Sequence, residues 1–366
     1  MTPVRRALLL SLLLLAACTP RAVLVGFPDG ATPEVERQIF FATVRAPEGD
    51  GFGNDRSRGM HFGRYGISVP PDRAAGLITW PKGQTDPETQ FLVTENIRHP
   101  SADAFRRDLA AELARRPAGR REAVIFVHGF NNTFAEGILR MAQLTHDLEV
   151  PGVAVHYSWP SAGSALGYEY DSDSQFFARD GLEALLEETR RAGAERIYLV
   201  AHSIGSFLAV ETLRQIDLQS KGRAARLVDG VVLLSPDIDV ELFRQQAQRI
   251  SPLPQPFLIF VSRRDRALQL SALLTGQRNR LGNIDRVQQV ADLSVTIVDV
   301  TEFSTGMGHF SVGNSPALLS ILGNAGTVNA AFERDRAGRA GLLPGTVLTV
   351  QQATAIILSP VTALAP

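Results

Sequence analysis

A serine set between a buried strand and an amphipathic helix, with small residues two positions before and after it, can be thrust out of a tight turn as a nucleophile. Ala201-His202-Ser203-Ile204-Gly205 has this form. The apolar run Ile197 to Val200 precedes it, and Phe207, Val210 and Leu213 follow at helical spacing. Ala201 stands where glycine is the commoner residue, a departure of one methyl group. A serine hydroxyl is a poor nucleophile until a base takes its proton, and the base needs an acid to orient it. In an elbow of this kind the acid and then the histidine follow the serine along the chain. Of seven histidines only His309, in Thr305-Gly306-Met307-Gly308-His309-Phe310, comes after Ser203. Two acids compete for the third role. Asp265, after the strand ending at Ser262, is preferred because it follows the later strand, and Asp237, after Leu234-Ser235-Pro236, is the alternative acid.

Charge developing on an attacked carbonyl needs fixed donors, and backbone amides supply them without reorganisation. Ile204 N–H, at the helix start, is one candidate for such an oxyanion hole. Phe130 N–H, in Val127-His128-Gly129-Phe130-Asn131-Asn132, is the other. Gly129 would admit the substrate, with His128 as a brace for the loop and His202 as packing within the elbow. Trp159 and Tyr168 lie in a loop after a strand end, where α/β sheets bind ligands, and could line a substrate pocket; core packing or a lid would suit them equally.

From about Arg120 the chain alternates buried strands with amphipathic helices, the rhythm of a mostly parallel sheet flanked by helices. The strands are expected at Ala123–Val127, Val153–Tyr157, Arg196–Ala201, Gly230–Leu234, Phe257–Ser262 and Ser294–Val298. Intervening helices carry Phe134, Ile138 and Met141, and Ala178, Leu182, Leu185 and Thr189. Ser315-Pro316 should open a last helix through Leu322. Before this core, Gln38–Val44, Tyr65–Val69, Gly76–Trp80 and Phe91–Thr94 read as strands, Gly49 to Asp55 as a surface turn, and Ala102–Arg116 as a helix with a solvated basic face. The expected organisation is a signal peptide over 1–17, an extension contributing edge strands over 18–120, the catalytic core over 121–323, and a C-terminal extension without a functional reading over 324–366.

With 37 Lys and Arg against 38 Asp and Glu, the chain has no strong field for nucleic acid, and 45% hydrophobic content suits a large core. No HExxH-like metal spacing occurs, and the proposed chemistry requires no cofactor. Arg5 and Arg6, the apolar run Ala7 to Leu15 and then Ala16-Ala17-Cys18 read as a signal peptide too short to span a bilayer. The single cysteine excludes an internal disulfide. Its position resembles a lipobox, which implies lipidation at Cys18 and a membrane lipoprotein of the bacterial envelope, on the periplasmic or extracellular side.

The HGF, AHSIG, SRRD and GHF segments, in this order, resemble the α/β-hydrolase superfamily. Tyr157-Ser158-Trp159-Pro160-Ser161, Gly167-Tyr168, Ser235-Pro236-Asp237-Ile238-Asp239 and Phe41-Ala42-Thr43-Val44-Arg45 look like its bacterial esterase/lipase-like branch of unknown function. The resemblance spans about Ile39 to Leu322. It implies the α/β-hydrolase fold, a Ser-Asp-His mechanism and a small-molecule or lipid-like ester substrate. The competing expectation is a catalytically silent hydrolase fold used as a binding or scaffolding lipoprotein, since a fold alone never proves chemistry.

Overall fold

The computed structural model describes residues 21–81, 85–276, 279–304, 308–316, 318–319, 345–350 and 353–358. The signal segment and Cys18 lie outside the described residues, as do residues 317 and 320–322 of the last expected helix. Among the described residues, eleven strands form one sheet in the order β10-β11-β9-β8-β7-β6-β4-β5-β1-β2-β3. Its centre is β4 (Glu122–Val127), β5 (Val153–Ser158), β6 (Arg196–His202), β7 (Gly230–Leu234), β8 (Phe257–Val261) and β9 (Thr296–Asp299). Each of these pairs parallel with its neighbours, as continuous Val, Ile and Leu runs covered on both faces should.

The first edge is antiparallel. β1 (Glu36–Glu48) joins the core by parallel pairing with β5 and turns back through Gly49 and Asp50 into β2 (Gly51–Ser68), which pairs with β3 (Leu92–His99). The strand therefore begins at Gly51, inside the segment whose glycines suggested only a surface turn; ladder bonding to β1 overrides weak local propensity. Gly76 to Trp80 is not a strand. Gly76 has φ +84°, in the left-handed region that favours glycine, and its amide donates to Asp147 Oδ2 (2.7 Å) rather than to a sheet. At the other edge, β10 (Gly345–Val350) and β11 (Ala353–Leu358) form a hairpin, with β11 parallel to β9. Ile356 and Leu358 are buried with Phe260 and Val298.

Two helical layers cover the sheet. On one face, α1 (Ala102–Ala114), α3 (Tyr168–Arg191), α4 (Gly205–Gln219) and α6 (Val240–Arg249) bury Phe105, Leu182, Leu213 and Phe243. On the other, α2 (Phe134–Asp147) buries Phe134, Ile138 and Met141. The alternation of β1 serves both layers, with Phe40, Ala42 and Val44 on the first side and Ile39 and Phe41 on the second. Caps fix where the helices start. Ser101 accepts from Ala104 N, Thr133 and Glu136 form a capping box, and Asp239 and Asp265 cap α6 and α7 (Arg266–Thr275). A five-residue helix, α5 (Arg223–Leu227), a four-residue helix, α8 (Ser311–Asn314), and three short 3-10 turns at Leu281–Asn283, Val287–Val290 and Thr301–Phe303 complete the described elements. Ser315 accepts from Leu318 N at 3.4 Å, the N-capping role expected of it. Among the described residues no helix is long and apolar enough to cross a membrane.

Phe41 lies fully buried against the rings of Phe52, Tyr65 and Phe134, with centroids 5.7, 5.5 and 5.1 Å away. Phe41→Ala should lower unfolding free energy by about 3–5 kcal/mol in urea titration, because a rigid aromatic site collapses poorly around a void.

Candidate active site

The carboxyl ends of the central strands bring four loops together. The first leaves β6. Ser203 has φ +55°, a left-handed conformation costly for a residue with a side chain. The sheet holds it there: Ser203 N donates to Leu234 O (2.9 Å) and Asp237 N donates to Ser203 O (3.1 Å). Gly205 explains one small position of the motif, since a Cβ there would collide with the carbonyl oxygen of His128. Ala201, fully buried in β6, is accommodated with its methyl group in the core.

The second loop leaves β4. A Cβ on Gly129 would lie 2.7 Å from His202 Nδ1 and 2.8 Å from Ser203 Cβ, so only glycine lets this loop cross the serine so closely. Phe130 follows directly. Among the described residues neither the Phe130 nor the Ile204 amide donates to a protein acceptor, as amides reserved for an incoming oxygen would be.

The remaining two loops carry Asp265 and His309. His309 Nδ1 is 2.8 Å from Asp265 Oδ2, and His309 Nε2 is 2.8 Å from Ser203 Oγ. An ionised carboxylate only accepts, so Nδ1 bears the proton and Nε2 accepts from the serine hydroxyl. Asp265 is fully buried, and its other oxygen accepts from Leu268 N (3.0 Å). Gly308 makes the approach of the two loops possible: at φ +71°, its missing Cβ would meet Arg264 O at 2.8 Å. His202 packs between His309 and Phe310, with centroids 4.8 and 4.4 Å away, and its Nε2 lies 3.3 Å from His309 O.

Asp237 is engaged elsewhere. Ser271 Oγ donates to its Oδ2 (2.8 Å), and Arg280 Nε lies 3.1 Å from its Oδ1. Burial raises its carboxyl above the ordinary range, against the opposing pull of Arg280 and Ser271. Its backbone braces the elbow while its side chain ties α7 to the loop bearing Arg280. Trp159 takes the core-packing role that its position equally allowed. It is fully buried, stacked on His128 at 4.9 Å, and donates through Nε1 to His128 O (2.8 Å), because a ring this large at the end of a central strand is enclosed by the adjoining loop. Tyr168 is half-buried, with its ring edge-on to Phe130 (5.7 Å) and its hydroxyl 3.5 Å from Ser271 Oγ.

Sequence reasoning missed the polar support beneath the Gly129 loop. Arg45 is fully buried at the end of an apolar strand run. It donates to Ser158 Oγ (2.9 Å), Gly53 O (3.0 Å), Asn54 Oδ1 (2.9 Å), Ser161 O (3.2 Å) and Asn132 O (2.8 Å). Burial brings its guanidinium down to about 9, which leaves it charged at neutral pH. Buried Asp171 accepts from Ser161 Oγ (2.6 Å), Ala162 N (2.6 Å) and Asn131 N (3.3 Å), tying α3 to the same loop. An arginine directly after Phe40 to Val44 was a readable signal, since a charge on a buried strand must be paired or bonded. Asp171 carries no such local sign.

A strand-ended elbow, glycine-lined crossing loop and hydrogen-bonded Asp265–His309–Ser203 chain on a mostly parallel sheet define an α/β-hydrolase fold. Residues 101–325, more than half of the chain, match the family described as alpha/beta hydrolase of unknown function (DUF900), and the chain belongs to that family. No curated protein matches the sequence significantly. Similar solved structures include a CIB-like hydrolase from Thermoplasma acidophilum, with 16% identity, 57% of this chain and 88% of that chain covered, and a TM-score of 0.36. A thermostable esterase from Pseudomonas putida shows 17% identity, 62% and 89% coverage and a TM-score of 0.36. An esterase from Pyrobaculum calidifontis shows 13%, 66% and 95%, and 0.34. Similarity at this level carries no inference about activity.

His128, His156 and His202 are all held below the ordinary imidazole range, in each case chiefly by burial, and His156 falls to about 3. The unfolded chain therefore binds more protons than the folded one below the ordinary value near 6.5. Their contribution is complete above that pH and is lost as pH falls toward their folded values. Urea titrations should show unfolding free energy dropping between pH 7 and 5, with each histidine adding up to about 1.4 kcal/mol per pH unit.

Proposed function

We propose that this protein is a serine hydrolase acting on carboxylic esters, anchored in a bacterial envelope membrane through lipid on Cys18. The hydrolase reading rests on one observation, the continuous Asp265–His309–Ser203 hydrogen-bond chain, and the anchor on the position of Cys18 after the apolar run Ala7 to Leu15. Ser203 Oγ attacks the ester carbonyl as His309 Nε2 takes its proton. Asp265 keeps the imidazole oriented and stabilises the imidazolium. The Phe130 and Ile204 amides receive the oxyanion, while the strained elbow keeps Oγ aimed without rearrangement. The tetrahedral adduct collapses, the ester C–O bond breaks, and His309 returns the proton to the leaving alcohol. Water then adds to the acyl-enzyme with His309 again as base, releasing the acid and restoring the Ser203 hydroxyl.

Hydrolysis of p-nitrophenyl esters of increasing chain length tests this. Ser203→Ala and His309→Ala should remain folded and lose roughly three orders of magnitude or more in kcat/KM. Comparable turnover by Ser203→Ala would contradict the assignment. Asp265→Asn should cost roughly two orders of magnitude or more, and Asp237→Asn much less, because only Asp265 bonds to the imidazole.

A further inference from the structure

Two observations concern the surface around the candidate site. The first is where the chain emerges. Arg21 Nη1 donates to Asn131 Oδ1 (3.1 Å), and Nη2 donates to Asn131 O (2.7 Å) and Glu136 Oε2 (2.6 Å). Asn131 is two residues from Gly129, the residue that crosses Ser203. The next residues stay attached to the body: Ala22 is buried, and Val25 and Phe27 hydrogen-bond to Val93. Cys18 is three residues from Arg21, a distance that peptide geometry limits to about 11 Å in any conformation. A lipid on Cys18 would therefore enter the bilayer beside the loop bearing the candidate oxyanion amides.

The second observation is independent of the first. Leu166, Leu270 and Leu273 are 97%, 51% and 78% exposed. They flank a single corner: Leu166 lies two residues before Tyr168, whose ring meets Phe130 and whose hydroxyl faces Ser271, which follows Leu270 and precedes Ala272 and Leu273. α7, which bears Leu270 and Leu273, begins at the Asp265 cap. Exposed leucines and the attached start of the chain thus both adjoin the loop that bears Phe130, the first through Tyr168 and the second through Asn131. Water-facing leucines beside a site that a short tether holds at a membrane suit an apolar, interfacial neighbour.

We infer that the candidate site faces the membrane carrying the anchor, with the leucine corner against the bilayer, and that its substrate is an acyl ester dissolved in that bilayer. The inference rests on the serine-hydrolase and Cys18-lipid reading above. Its chemistry is the same hydrolysis, with the lipid ester split by water into fatty acid and alcohol.

The test uses the full-length protein, purified with its lipid and reconstituted in phosphatidylethanolamine–phosphatidylglycerol vesicles, beside a form with twenty Gly and Ser residues inserted after Pro20. Such an insert spans about 25 Å as a flexible coil and frees the body from the bilayer surface. The readout is the ratio of two rates, on 4-methylumbelliferyl oleate in the vesicle membrane and on p-nitrophenyl butyrate in solution. The insert should lower that ratio about fivefold or more through lost proximity and orientation. Equal ratios in the two proteins would overturn the inference and leave the leucine corner to a protein partner. Absence of lipid on Cys18 in the intact mass would also overturn it. Failure of the uninserted protein to cleave even the soluble ester would instead sink the hydrolase reading, and this inference with it.

Discussion

The left-handed backbone at Ser203 is the constraint on which the rest of the site depends. A serine adopts φ +55° only when its surroundings overdetermine it. Here the ladder between β6 and β7 continues past the strand ends to grip its amide and carbonyl, and the two neighbouring loops leave no other path. Gly129 and Gly205 have their places for the same reason. One lets the β4 loop pass over the serine, and the other lets α4 begin against the backbone of His128. Their lack of side chains is a steric demand of the turn.

Holding the β4 loop in place requires buried polar structure. Arg45 comes from β1, outside the family-matched segment, yet it bonds to Ser161 O and Asn132 O in two loops of the core. Asp171 then ties the start of α3 to Asn131. An unbonded buried charge would be costly, but a fully bonded one fixes a unique loop geometry. The strands before the core thus contribute to the site as well as to the sheet edge. Gly308 performs the equivalent service for the other half, letting the His309 loop settle on the Arg264–Asp265 backbone.

Much of this was legible because its causes are local. Continuous Val, Ile and Leu runs marked the parallel strands, and small residues around Ser203 marked the elbow. Chain order selected His309, while the preference for the later strand favoured Asp265, the acid found on the imidazole. The rest was hidden because its causes are long-range. Gly51 to Arg64 has little strand pattern and becomes a strand only by pairing with β1, and Gly76 to Trp80 has the pattern but no partner strand. β10 and β11 gain their role from the open edge of β9. The position of Trp159 after a strand end suited a pocket or core packing equally, and its burial against His128 depends on a loop contributed by another strand.

Activation of the Ser203 hydroxyl by His309 is the property on which the proposed chemistry turns. Reaction of the folded protein with a fluorophosphonate, followed by peptide mass mapping, reads that activation directly because the reagent requires an activated nucleophile and needs no knowledge of the natural substrate. A single adduct on Ser203, lost in His309→Ala, is the predicted result. A folded protein that stays unlabelled, or that carries the adduct on another residue, would contradict it.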